Sequence, residues 1–268
     1  MDRTDSLMGR FSNLILGATG NLGPELSVRL EDNSLGISRS SGSELFESQL
    51  LHCDITSSDL PVRLEEFDTV YHLATLNNGE APREEWPEVE GTENLLEEAR
   101  KIDSSPRIVY VSSGSAAQVN PDQDKDWLSY PGANAVGESI IQGYENHSIV
   151  RLGNVYGSGS GVIDSFTERS KEGERLEVYG DGNQLRPFIH IEDAISAITE
   201  VGNGSRLEAY ESHRSIGSIA ERISDLSGVE VSYDNSKSSV SRKMSGEWEA
   251  YRPDEFLDSY LERSIFED

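Results

Sequence analysis

Cysteine is almost absent: Cys53 is the sole thiol in 268 residues, which excludes an intrachain disulfide and a cysteine-built zinc site. The five histidines, His52, His72, His147, His190 and His213, show no metal-ligand spacing, so no metal is expected. No apolar run approaches the roughly 18 residues of a membrane span. The opening Met1-Asp2-Arg3-Thr4-Asp5-Ser6 leads into no secretory apolar segment, and a soluble cytoplasmic protein is expected. Positive charge is scarce too. Twenty-three Lys and Arg face 49 Asp and Glu, leaving −26, with no basic cluster for nucleic acid or an anionic membrane. An acid-rich, lysine-poor surface suits concentrated salt, which screens self-repulsion. A halophilic setting is therefore expected, with plain compositional bias as the alternative.

What remains is the material of a folded domain. Hydrophobic residues make up 35% and 24 glycines add to them, enough for a sizeable core. Leu14-Ile15-Leu16, Leu50 to Cys53, Asp68 to Ala74, Arg107 to Val111 and His147 to Leu152 read as buried strands. Between them, Pro24 to Asp32, Gly91 to Lys101 and Ala133 to Glu145 have helical periodicity. This alternation predicts an α/β fold, a parallel sheet with helices on both faces. After residue 153 glycine punctuates often and only shorter elements fit. Asp193 is expected to cap a helix over Ala194 to Val201, and Ile216, Ile219, Ala220, Ile223 and Leu226 form a helical apolar stripe.

The strongest local signal is Gly17-Ala18-Thr19-Gly20-Asn21-Leu22-Gly23-Pro24. It follows a short apolar strand and opens a helix with Pro at its first position. Glycines there let the backbone turn tightly and approach a pyrophosphate seated on the helix N-terminus.

Further segments follow in order: Asp54-Ile55-Thr56, Tyr71-His72-Leu73-Ala74, Gly91-Thr92-Glu93-Asn94-Leu95-Leu96, Val111-Ser112-Ser113, Tyr130 with Gly137-Glu138, and Arg151-Leu152-Gly153-Asn154-Val155-Tyr156-Gly157. Val178-Tyr179-Gly180-Asp181-Gly182-Asn183-Gln184-Leu185-Arg186-Pro187-Phe188-Ile189-His190 is the last. With these segments the chain resembles the extended short-chain dehydrogenase/reductase family, in its nucleotide-sugar epimerase and dehydratase branch, from Asn13 to about residue 262.

The resemblance implies a Rossmann-type doubly wound sheet with a small α/β C-terminal substrate lobe. The dinucleotide domain is expected over 11–153, with 187–205 returning to it; 154–186 and 206–268 form the lobe. It implies NAD(P) and a nucleotide sugar in the cleft, and a homodimer. Gly17, Gly20, Asn21, Leu22 and Gly23 fall on the cofactor turn, Asp54 and Ile55 on the adenine, and Leu73, Ala74 and Val155 beside the cofactor. For Asp54, a simple turn-forming role stands as the alternative. Ser113 matches the serine that hydrogen-bonds the reacting oxygen, and Tyr130 the catalytic tyrosine, which takes a proton from the sugar hydroxyl as hydride leaves the same carbon. Asn154 and Arg186 match positions that hold the substrate diphosphate, and Arg242, in Ser241-Arg242-Lys243, is the candidate for a second phosphate-binding arginine.

Two positions depart from the family. A tyrosine titrates near 10, so a cation must lower its pKa before it acts as a base near neutrality. The family places Lys one helical turn after the tyrosine; here that position is Asn134, and Lys125 lies five residues before Tyr130. Asn134 keeps hydrogen bonds for the cofactor ribose but carries no charge. Glu88 stands where the family usually has Asn. A non-catalytic NAD(P)- and nucleotide-sugar-binding homologue, a regulator or silent partner, is therefore the alternative to an oxidoreductase. After the second strand the chain reads Ser38-Arg39-Ser40-Ser41, with no acid before Glu44. Arg39 and the serines suit a 2′-phosphate, so NADP is expected, with NAD as the alternative.

Overall fold

The computed structural model describes residues 10–31, 33–40, 49–57, 60–76, 80–119, 127–237, 240–254 and 256–266. Ser41, Glu44 and Lys125 lie outside them, as do the opening residues. The first half supplies strands β1 (Asn13–Leu16), β2 (Ser34–Ser38), β3 (Leu50–His52), β4 (Thr69–His72), β5 (Glu80–Pro82), β6 (Arg107–Ser113), β7 (Trp127–Ser129) and β8 (His147–Leu152). The second half adds β9 (Asn154–Tyr156), β10 (Leu176–Tyr179), β11 (Leu185–His190), β12 (Arg206–Ala209), β13 (Ser212–Ser215), β14 (Val231–Asp234) and β15 (Glu249–Ala250). Seven α-helices among the described residues separate them: α1 (Gly23–Arg29), α2 (Thr92–Ala99), α3 (Tyr130–Ile141), α4 (Val162–Lys171), α5 (Ile191–Glu200), α6 (Ile216–Ser227) and α7 (Leu257–Phe266).

Eight strands form one sheet in the order β15-β12-β8-β6-β4-β1-β2-β3, parallel throughout. Strands buried on both faces need no polar alternation, which is why their sequences read as continuous apolar runs. Side chains still alternate between faces. Leu14 and Leu16 pack with Leu95, Leu96 and Ile141 of α2 and α3, whereas Ile15 packs with Leu26, Ala194 and Ile198 of α1 and α5. The sheet is doubly wound, as expected. Its strand order reverses between β1 and β4, and the crevice at the carboxyl ends of such strands is where α/β sheets bind ligands.

The chain leaves the sheet at Gly153. Strands β9, β11 and β13 form a small sheet and β10 pairs with β14. With α4, α6 and α7 they surround a separate core that includes Tyr156, Phe166, Val178, Phe188, Ile223 and Leu261. The expected stripe Ile216 to Leu226 lies on α6, with Leu226 at its partly buried end. The large sheet, however, continues through β12 and β15, so Arg206–Ala209 and Glu249–Ala250 belong to it rather than to the lobe. Strands of four and two residues leave no readable period. The cap expected at Asp193 is also corrected: α5 begins at Ile191, and His190 caps it by accepting from the Glu192 amide. Asp193 Oδ1 instead accepts the Asp254 amide at 2.9 Å.

Candidate active site

The site forms at the strand-order reversal because the segments after β1 and β4 both end there. Gly17, the first residue past β1, has φ +81°, a conformation that favours glycine. A Cβ on it would lie 2.6 Å from the Ala74 backbone just past β4. The Gly17 amide donates to Ile37 of β2 at 2.8 Å. Helix α1 then starts with Pro24 in its first turn and no side-chain cap. A Cβ on Gly20 would meet only the Gly17 carbonyl, at 3.3 Å, and would otherwise project into open space. A turn held this close, with an uncapped helix behind it, fits a dinucleotide diphosphate.

Two cavities flank the turn, sharing Gly17, Gly20, Leu73 and Thr75 as walls. The larger, about 480 Å³, is lined on the turn side by Asn21 and Leu22 and opposite by Ser113, Tyr130 and Asn134. The lobe side contributes Asn154, Val155, Ser160 and Arg242. The smaller, about 250 Å³, is lined by Arg39, Asp54, Ile55 and Ala74, with Thr19, Ser38 and Ser40. Thr19 and Ser38 share a hydrogen bond at 2.6 Å, and Arg39 pairs with Asp54 at 3.7 Å. Asp54 also folds its own turn, accepting from Thr56 N and Oγ1 at 3.0 and 2.8 Å.

Two expected site residues lie outside both cavities. Gly23 packs inside α1, where a Cβ would meet the Ala18 carbonyl at 2.1 Å; its smallness serves helix packing. The Arg186 guanidinium donates to the carbonyls of Leu185 and Val240, behind the segment that carries Arg242. Burial and the neighbouring Arg242 charge push the Arg186 pKa down.

Tyr130 is presented by the strand pair β5 and β7, which runs directly into α3. Trp86, fully buried, donates from Nε1 to Ala81 of β5 at 3.1 Å and anchors that pair. Gly137 lets α3 descend onto the site: a Cβ there would lie 2.0 Å from Tyr110 Oη and 2.4 Å from the Glu88 carbonyl. Ser113 Oγ accepts from Ser115 N and Oγ at 3.2 and 3.0 Å. Asn134 Nδ2 donates to the Tyr130 carbonyl one turn back, at 2.9 Å. Burial raises the Tyr130 pKa above its ordinary value and Glu88 adds to the rise. Hydrogen bonding from Ser113 and Asn134 and the charge of Arg242 pull the other way without overcoming it.

Glu88 was visible in the sequence as a departure, but its setting was not. It lies in a wide π-helical turn, Pro87–Gly91, and is 1% exposed. It accepts from Thr75 Oγ1 and from Leu76 N. Burial pushes its pKa up to about 7 against these hydrogen bonds.

Two long-range clasps also lay beyond sequence reading. Asn21 Nδ2 donates to Ser160 Oγ at 2.5 Å, joining the glycine turn to the Gly157–Gly161 loop. Asp164 fixes that loop by accepting from Gly157 N and Ser160 N at 2.8 and 3.0 Å. Behind Ser112, Arg151 holds Glu138 through two bonds of 2.8 and 2.7 Å and pairs with Glu208 at 3.3 Å. Glu208 in turn accepts from the Ser245 and Gly246 amides at 3.0 and 2.8 Å, tethering the segment that carries Arg242.

Among the described residues no group of His, Cys, Asp and Glu is placed to hold a metal. No helix among them is long and apolar enough to cross a membrane.

UDP-glucose 4-epimerase of Mycolicibacterium smegmatis is 27% identical over 229 residues, covering 70% of this chain and 72% of that protein. UDP-N-acetyl-alpha-D-glucosaminuronate decarboxylase of Bacillus cytotoxicus is 29% identical over 195 residues, covering 61% and 60%. The solved UDP-glucuronic acid 4-epimerase of Bacillus cereus, bound to UDP-glucuronic acid and NAD, shares the fold. Its TM-score is 0.74 at 22% identity, over 94% of this chain and 97% of that one. The family model that matches residues 13–210 is that of the NAD dependent epimerase/dehydratase family, and the chain belongs to this family.

Proposed function

We propose that the chain is an NAD(P)-dependent oxidoreductase of nucleotide sugars in which Tyr130 and Ser113 handle the proton at one sugar oxygen. The observation that carries this is the shared cavity: the glycine turn, Ser113, Tyr130, Asn134 and Arg242 all line it. A nicotinamide dinucleotide bound there supplies or accepts hydride. Gly17, Gly20, Asn21 and Leu22 cradle its diphosphate, and Asp54 and Ile55 flank the adenine. Ala74, Leu73 and Val155 shape the channel toward the reacting end. Asn134 offers the ribose a hydrogen bond. Asn154 and Arg242 take the diphosphate of the sugar nucleotide, with Arg186 backing Arg242.

Arg39, Ser38 and Ser40 at the end of β2 favour NADP over NAD, since a guanidinium and two hydroxyls suit a 2′-phosphate, with Asp54 paired to Arg39 at 3.7 Å in the same cavity. A homodimer in a high-salt cytoplasm completes this reading.

The missing lysine favours one rival, a homologue that binds both ligands without turnover. Nicotinamide absorbance, followed with a panel of sugar nucleotides in molar salt, separates the two. A change in either direction that is lost in Tyr130→Phe supports the enzyme. Tight binding of both ligands with no absorbance change and no conversion of the sugar nucleotide supports the rival.

A further inference from the structure

The surroundings of Tyr130 are arranged to keep its proton on. The position one turn along α3, where a cation would favour the phenolate, is occupied by the neutral amide of Asn134, turned back to the Tyr130 carbonyl at 2.9 Å. A carboxyl lies within electrostatic reach of the phenol. Glu88 is buried and hydrogen-bonded through Thr75, which shares the cavity wall with Tyr130. Among the described residues lining that cavity, the one charged side chain is Arg242. Substrate diphosphate neutralises that charge when it binds, on the reading above. Burial without a lasting positive partner, beside a carboxyl, disfavours an anion.

We propose that the site works reductively: its substrate is a sugar nucleotide bearing a keto group, and Tyr130 Oη delivers the proton to the carbonyl oxygen. This deepens the reading of Tyr130 and Ser113 given above and rests on it. The carbonyl carbon gains a hydride, supplied by a reduced nicotinamide that leaves oxidised, and the C=O π pair moves onto oxygen. That oxygen takes the Tyr130 proton while Ser113 holds it in place, and the phenolate regains a proton from water in the open cavity. In the opposite direction Tyr130 must start as phenolate, the form that this environment opposes. The smaller cavity points the same way. Arg39, Ser38, Ser40 and Thr19 suit the 2′-phosphate of NADPH, the dinucleotide that cells keep reduced, once Arg39 turns from its 3.7 Å pairing with Asp54 in the same cavity.

The test has one readout independent of turnover. Ring-labelled tyrosine NMR of the cofactor-free protein, with Tyr130→Phe for assignment, should show Tyr130 protonated up to about pH 10. A phenolate forming near neutrality overturns the proposal. The second readout compares NADPH oxidation with a UDP-4-keto-6-deoxyhexose against NADP reduction with UDP-glucose, both in single turnover at pH 7. With at most about one Tyr130 in a thousand ionised, the reductive reaction should be at least 100-fold faster, an order-of-magnitude estimate.

Comparable or reversed rates that vanish in Tyr130→Phe overturn the reductive assignment and leave the Tyr130 reading intact. Keto reduction that survives Tyr130→Phe overturns both. Binding of NADPH and the keto sugar nucleotide without turnover in either direction also overturns both.

Discussion

Thr75 Oγ1 donates to Glu88 Oε1, and that bond joins an exposed cavity wall to a carboxyl that is 1% exposed. Thr75 is reachable by solvent; Glu88 is not. The pair therefore places a titratable group of pKa about 7 next to Tyr130, where its charge works against the phenolate.

The stability consequence has a definite sign. Glu88 titrates at about 7 in the folded chain against an ordinary 4.5, so between those values the folded state binds more protons than the unfolded state. Stability from this group falls as pH rises from about 4.5 to about 7, by about 3 kcal/mol in all. Tyr110 and Tyr130 stay protonated throughout that window and buried His72, held down to about 4, stays neutral for most of it. Glu138 is paired with Arg151 at 2.7 Å, and Arg242 lines the same cavity as Tyr130. Glu88→Gln cannot ionise. Its melting temperature relative to wild type should therefore rise by about 5 °C between pH 5 and pH 8. An offset that does not change with pH would place the Glu88 titration elsewhere.

The buried charges behind Ser112 give a second expectation. Glu208 is 1% exposed and serves both Arg151 and the Ser245 and Gly246 amides. Glu208→Ala leaves the Ser245 and Gly246 amides without that acceptor and Arg151 with Glu138 as its remaining carboxylate, and breaking a buried ionic network by one partner costs about 3–5 kcal/mol. Urea denaturation should show that loss. Sugar-nucleotide affinity should fall with it, because the tether of the Arg242 segment is gone.

How much of this was legible depended on sequence distance. The glycine turn, Ser113 and Tyr130 were readable as local motifs, and the fold places them on one cavity together with Arg242. Asn21 and Ser160 meet across 139 residues, and Glu208 reaches Ser245 across 37. Neither contact leaves a local pattern. Arg186 carries the same motif signal as a ligand-facing arginine, yet it lies outside both cavities and its Nη1 donates to two backbone carbonyls. Only the register of β11 against the 240–242 segment decides that. The strand-helix alternation was enough for a doubly wound sheet, but not for the two short strands that extend it, whose pairing is set by tertiary contacts.

Arg39 tests cofactor choice. Its guanidinium faces Asp54 at 3.7 Å, and both side chains are well exposed, so that pair contributes little by itself. Arg39→Ala should weaken NADPH by about 1.5–3 kcal/mol, roughly 10- to 100-fold, and NADH much less. Calorimetric titration of both measures the difference. Equal losses would mean that Arg39 serves Asp54 and not a 2′-phosphate.

The net charge of −26 predicts a dependence on salt. Diluting from 1 M to 0.1 M lengthens the screening distance from about 3 Å to about 10 Å, and surface carboxylates then repel one another more. The melting temperature should fall steadily over that range with sodium chloride as the only variable. A constant value would count against adaptation to high salt.

The last prediction concerns Asn134. The residue is 2% exposed and sits one helical turn from Tyr130, lining the same cavity. A lysine there can keep the bond to the Tyr130 carbonyl and adds an ammonium beside the phenol. A cation within about 4–6 Å lowers a neighbouring acid's pKa by about 1–3, each step worth about 1.4 kcal/mol. The Glu88 carboxyl, ionised above about 7 and so throughout the pH range in which Tyr130 titrates, takes up part of that charge, and the lower end of that shift is expected. In Asn134→Lys the Tyr130 ring resonance should therefore titrate at lower pH than in wild type. NADP reduction with a hydroxyl-bearing sugar nucleotide should rise about tenfold or more at neutral pH, while keto reduction changes less. Both follow from one cause, a larger phenolate fraction, so they must move together. A Tyr130 titration that shifts while the ratio of the two directions stays put would show that the ionisation of this tyrosine does not set the direction of the reaction.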